Sequence, residues 1–320
     1  MALIEYGRRL KRTTNPHGNK DELSAVGCGG HSYPRRVIDL HVATVLLQWA
    51  TGGLAFLWVT TRRREVSLGY GWLLRATYAI IAAGGVASGF IGEVHWPREL
   101  LGIACIIAAL VALAVSVVRR SAGVAGQRDV VERRSQRVAE MTGIDRAEQR
   151  FDRSTAEFPP ALDLIAPAFG LAAIIAGALH ADGPTWLSLL RVIVGAAFLG
   201  AITDGMLLGH WYLTQPGLKR APLLELVNIN LVLWPIETAV LLLPTGMISL
   251  LNGTIDDKYG GLLGWFWLAS TIATIVMLIM TRLALRERQY AAVMAATGLL
   301  YLAILMAFAQ DLVARILLDI

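Results

Sequence analysis

Eight apolar blocks, each about 20 residues or longer, dominate this chain, at roughly 37–60, 68–94, 99–118, 161–180, 186–213, 222–250, 260–281 and 289–317. A helix rises 1.5 Å per residue, so about 20 apolar residues cover the roughly 30 Å of hydrocarbon in a bilayer. With 55% hydrophobic residues and a mean hydropathy of +0.55, the 320-residue chain exceeds the apolar share of ordinary soluble proteins. The pattern predicts an all-α fold: a polytopic transmembrane bundle of about eight spanning helices.

The organisation expected from this pattern has four parts. Residues 1–36 form a polar extramembrane arm, and 37–118 hold transmembrane helices one to three. Residues 119–158 form a charged cytoplasmic loop, and 159–320 hold helices four to eight. Within the loop, charges recur every three or four residues from Asp129 to Phe151 without proline, which predicts a solvent-exposed helix.

Lysine and arginine counts orient the bundle. With the N-terminus outside, inner loops carry 17 cations and outer segments 10, seven of the latter in the long arm. Inner loops enriched in Lys and Arg are the rule for short loops. Arg35 and Arg36, beside the first helix, count against this orientation. The expected location is an inner (cytoplasmic) membrane of bacterial type. Most tryptophans lie near segment ends, where interfacial anchoring accounts for them.

Several classes are excluded or left without support. No glycine-rich nucleotide motif occurs, and the net charge of +5 sits in loops beside apolar segments, so no nucleic-acid partner is expected. Cys28 and Cys105 have neither CxxC nor CxxCH spacing.

Two His-Trp pairs, His95-Trp96 and His210-Trp211, end two of the blocks. They belong to a longer correspondence, in which Asp39-Leu40 matches Asp163-Leu164 and Leu73-Leu74-Arg75 matches Leu189-Leu190-Arg191. The histidines follow those arginines by 20 and 19 residues. An offset of three spans would make the second trio an inverted copy of the first, an architecture that places sites at the repeat interface. The expected core is therefore a 3+3 inverted repeat with two C-terminal helices added.

Ionisable residues inside a membrane cost at least ~2.5–3.5 kcal/mol each and usually face the bundle interior. By depth, Asp204, Glu237 and Arg191 stand out, followed by Arg75 and Glu225. Asp204, His210, Glu225 and Glu237 are expected to form a graded proton or ion path between segments five and six, with Pro235 kinking the latter beside Glu237. At the outer level lie His41, His95 and His180, with Glu93 and Asp182 close by. Imidazoles suit transition metals, and two on opposite sides of a flat cavity can clamp a haem. The cofactor-binding candidates are His41, His95, His180, His210, Arg75 and Arg191. For the two arginines, the partners considered are Glu93, Asp204, Glu237 or an anionic group such as a haem propionate. Glycine stripes on segments two and five predict close packing and a central position for both.

Three functions follow. One is a haem b- or quinone-interacting redox subunit of an electron-transfer chain, and the residues favour it narrowly. The second is a secondary transporter or proton-coupled channel. The third is a non-catalytic accessory subunit whose charged loop docks other members of a membrane complex.

Overall fold

The computed structural model describes residues 42–92, 94–143, 151–181, 183–215, 218–243, 246–254, 256–257 and 259–318. All belong to one compact unit, Arg36–Ile320. His41, Glu93 and Asp182, named above as candidate ligands or their neighbours, lie outside the described residues.

The regular structure of the described residues is helical, with no strand among them. In chain order the helices are α1 (Val42–Thr61), α2 (Leu68–Ile91), α3 (Trp96–Val118), α4 (Arg128–Thr142), α5 (Ile165–His180), α6 (Thr185–Thr214), α7 (Ala221–Leu242), α8 (Gly246–Leu251), α9 (Leu262–Ala284) and α10 (Tyr290–Leu318). Eight of these, all but α4 and α8, belong to stretches long and apolar enough to cross a membrane. The chain is a polytopic integral membrane protein.

Local chemistry sets the boundaries. Pro97 stands in the first turn of α3 and Pro222 in that of α7, where no intrahelical N–H is needed. Asp257 accepts hydrogen bonds from the N–H groups of Tyr259, Gly261 and Leu263 just ahead of α9. The backbone donors of Gly261, Tyr259 and Leu263 hold its carboxyl below the usual carboxylate range.

Two features depart from the sequence reading. The sixth block is not one helix: α7 ends at Leu242, and the short α8 follows. In the charged stretch the helix closes at Thr142, and 151–159 runs back irregularly to a 3-10 turn at Pro160–Leu164 that leads into α5.

The centre of the bundle is α6 with α1. They bury 67% and 56% of their most apolar stretches, against 44% for α2. A Cβ on Gly52 would stand 1.8 Å from the Ala196 carbonyl oxygen, and one on Gly200 would stand 2.2 Å from the Gly52 carbonyl carbon. Only glycine permits that approach. The central position expected of α2 therefore belongs to α1, whose glycines meet those of α6. The neighbours are lopsided: α1 packs along α6, while α2 and α5, the pair a two-fold relation would match to it, have no comparable contact among the described residues.

The loop between α1 and α2 ties down one end of the bundle. Arg62 and Arg63 both pair with Glu225 at the start of α7. Lys219 pairs with Glu65 at 2.9 Å, and Gln127 Nε2 donates to the Glu65 carbonyl at 2.6 Å. Glu157 pairs with Arg64 and Arg128, which fastens the charged stretch to the same end. We refer to this end as the basic-loop face.

Candidate functional site

Two layers of buried polar groups are strung along α6. The first centres on Asp204, which is fully buried. Its Oδ1 accepts from the Tyr78 hydroxyl of α2, and its backbone carbonyl accepts from the Tyr70 hydroxyl at 3.5 Å. One residue earlier, Thr203 Oγ1 accepts from Trp49 Nε1 of α1 at 3.0 Å and itself donates to the Leu199 carbonyl. Asn230 of α7 is buried nearby, facing Gly205. Asp204 has no ion pair among the described residues, and its Oδ2 has no hydrogen-bond partner. A buried carboxyl whose strongest partner is a neutral phenol is suited to taking up and releasing a proton.

The second layer lies toward the opposite end of the bundle. Arg315 of α10 forks onto Asp311 one turn earlier, with Nε to Oδ2 at 2.7 Å and Nη2 to Oδ1 at 3.0 Å. The same Nη2 donates to Gln48 Oε1 of α1 at 3.1 Å. Gly195 on α6 makes room for this: a Cβ there would collide with Gln48 Nε2 at 2.1 Å. Glu237 of α7 is 1% exposed and feels the charges of Asp311, Arg315 and Arg191. Arg191 is 4% exposed and donates to the Leu243 carbonyl at the end of α7 at 2.7 Å. Gln310 is wholly buried, and neither end of its amide has a partner. Glu237 Oε2 and Gln48 Nε2 are likewise unpartnered. Buried polar groups are nearly always satisfied, so this concentration sets the second layer apart from the apolar bundle around it.

Pro235 lies within α7 two residues before Glu237. It has no N–H, so the carbonyl four residues earlier loses its helical partner beside the second layer.

The expected four-residue path is split by these contacts. Asp204 and Glu237 are interior and belong to different layers. His210 is exposed, and its Nδ1 lies 2.9 Å from the Tyr301 hydroxyl of α10. Glu225 sits at the basic-loop face between Arg62 and Arg63.

Arg75 has a partner that the sequence reading did not consider. Its Nε and Nη2 both meet the Asp163 carboxylate at 2.7 Å, each side chain is 2% exposed, and the Phe158 ring covers the guanidinium at 4.4 Å. In the sequence Asp163 stands out only as half of the Asp-Leu motif. Arg98 and Glu99 form another buried pair, joined across Thr44 to α1. Their position at a helix start reads as interfacial in sequence, which hid them. The Asp311–Arg315 spacing of four in an apolar helix was the signal for the second layer, but it lay near the end of the last block.

At the end opposite the basic-loop face, His95 and His180 come together. Their rings stack with centroids 4.2 Å apart and planes 12° from parallel. Partial burial, then the neighbouring His180 and Arg98, lower the affinity of His95 for its proton. A haem iron takes its axial imidazoles through ring nitrogens on opposite sides of the porphyrin plane. Two rings lying face to face at 4.2 Å leave no such gap between them. Among the described residues no group of three or more His, Cys, Asp or Glu side chains is placed to hold a metal ion.

No protein-family model matches the chain, and neither curated proteins nor solved structures show significant similarity to it.

Proposed function

We propose that this protein is a proton-coupled membrane transporter or channel in which Asp204 and Glu237 are the protonatable groups. The observation that carries the reading is the pair of buried polar layers on α6, which combine carboxyls with unsatisfied amides in the middle of an apolar bundle. Such groups inside a membrane ordinarily mark ion or proton pathways. Pro235 beside Glu237 adds the interrupted helix common at transport sites. The basic-loop face is the cytoplasmic side in this reading. The 3+3 inverted repeat rests on the DL, LLR and HW correspondence in the sequence alone, since the packing of α1 along α6 has no comparable counterpart between α2 and α5 among the described residues.

The redox reading draws less from the geometry, because His95 and His180 occupy each other's faces and His210 is engaged by Tyr301.

The test is proton flux in proteoliposomes under an imposed membrane potential, followed with an internal pH dye. The wild-type protein should acidify or alkalinise the lumen according to the sign of the potential. Glu237→Gln should abolish that flux while the protein still melts cooperatively. Equal flux in both would overturn the reading, and a b-type haem band in the reduced-minus-oxidised spectrum would restore the redox alternative.

A further inference from the structure

A small cavity opens at the basic-loop face, apart from both polar layers. Its volume is about 30 Å³, and Thr61, Arg64, Ser67, Gly71, Arg75 and Glu157 are among its lining residues. One water needs roughly 10–15 Å³ of such space, so two or so oxygen atoms fit.

Three observations bear on what enters it. Arg75 spends Nε and Nη2 on Asp163, but Nη1 is buried without a partner, and a Cβ on Gly71 would stand 2.8 Å from it. Both residues line the cavity, so this donor is directed there. Second, α2 begins at the cavity without a side-chain cap. Its N-cap residue is Ser67, whose hydroxyl instead accepts from Trp211 Nε1 at 3.0 Å. First-turn N–H groups left in this way attract anions. Third, Arg64 holds a left-handed backbone with φ of 54°, the only non-glycine residue to do so among those described, and its half-exposed side chain lines the mouth. Glu157 is also present, but Arg64 and Arg128 engage its carboxylate at once. Counting Arg64, Arg75 and Arg128 against Asp163 and Glu157 leaves an excess of one positive charge.

We infer that this cavity binds a phosphate-type oxyanion, with Arg75 Nη1 and the start of α2 holding its inserted oxygens and Arg64 closing over it. The same chemistry is offered by the headgroup of an anionic phospholipid and by a soluble phosphate. The inference does not depend on transport.

The experiment measures dissociation constants of the full-length protein in neutral-detergent micelles. The probes are inorganic phosphate and short-chain phosphatidylglycerol, with short-chain phosphatidylcholine as the control for the acyl chains. Arg64→Gln removes the exposed cation and leaves the Arg75–Asp163 pair in place, while Gly71→Ala crowds the guanidinium at Nη1. Arg137→Gln removes an exposed arginine from α4 as a control for surface charge. Saturable binding should weaken roughly tenfold or more in Arg64→Gln and Gly71→Ala and stay unchanged in Arg137→Gln. Binding of phosphatidylglycerol alone identifies a headgroup, and binding of phosphate with comparable affinity identifies a soluble anion. No saturable binding of either probe would overturn the inference, as would undiminished binding in Arg64→Gln or an equal loss in Arg137→Gln. Should Gly71→Ala alter the melting profile, Arg64→Gln and its control decide alone.

Discussion

Arg75 and Asp204 are both ionisable groups sealed inside the same bundle, yet their surroundings are opposite. Arg75 faces a carboxylate that matches it in charge and fork geometry, with a phenyl ring closing over the pair. Asp204 faces a phenol and a second, unused oxygen. The matched pair acts as a bolt between α2 and the entry to α5. The unmatched carboxyl is the one proposed above as a protonatable group. Burial alone does not separate the two cases; the partner does.

The largest effect should come from breaking the bolt. Asp163→Ala leaves the Arg75 charge buried with its main partner gone, and removing one member of such a pair costs ~3–5 kcal/mol. The thermal midpoint in detergent should fall steeply. The double variant Arg75→Met with Asp163→Leu should recover most of the loss. A mild single variant would mean that Arg75 is no better matched than Asp204.

Removing the phenol from the other site is the intermediate case. Tyr78→Phe leaves the Asp204 oxygen buried without its donor, at a cost of ~1–3 kcal/mol, measurable as a lowered unfolding midpoint. Asp204→Asn, by contrast, keeps an acceptor for the Tyr78 hydroxyl and should shift stability by no more than ~1 kcal/mol. Proton flux should nevertheless fall sharply in that variant. Unchanged flux would strip Asp204 of its distinction from Arg75.

The smallest effect concerns the stacked histidines. His95 holds its proton less tightly in the folded protein than in the unfolded chain. Its contribution is therefore complete above the ordinary histidine pKa of about 6.5 and declines as pH falls through the lower folded value. His95→Gln should flatten the acid side of the stability–pH curve measured by thermal melting. A curve that keeps its slope would place the titration elsewhere.

The spans were legible because hydrocarbon thickness imposes a length on apolar blocks, and that constraint acts locally along the chain. The interior partners were not, because they join residues far apart. Arg75 meets Asp163 across 88 positions and Gln48 meets Arg315 across 267. Asp204 and Glu237 were identified by depth alone, and both are buried. His210 and Glu225 shared the same depth argument and came out at the edges, since depth says nothing about which face of a helix a residue occupies. The break between α7 and α8 carries a sequence signal, Pro244-Thr245-Gly246 after Leu243, but the apolar run resumes at Met247 and the block reads as one span by hydropathy alone.

Gly52 and Gly200 touch between the two polar layers, with Gly195 toward one and Asp204 toward the other. Over the nine residues from Gly195 to Asp204 the axis advances roughly 14 Å. The partition there is main chain against main chain, with no rotamer to swing aside. Under the proposed transport reading, opening this seam would require α1 to tilt away from α6 as a whole, so conduction would depend on helix attitude and on lateral pressure against the bundle.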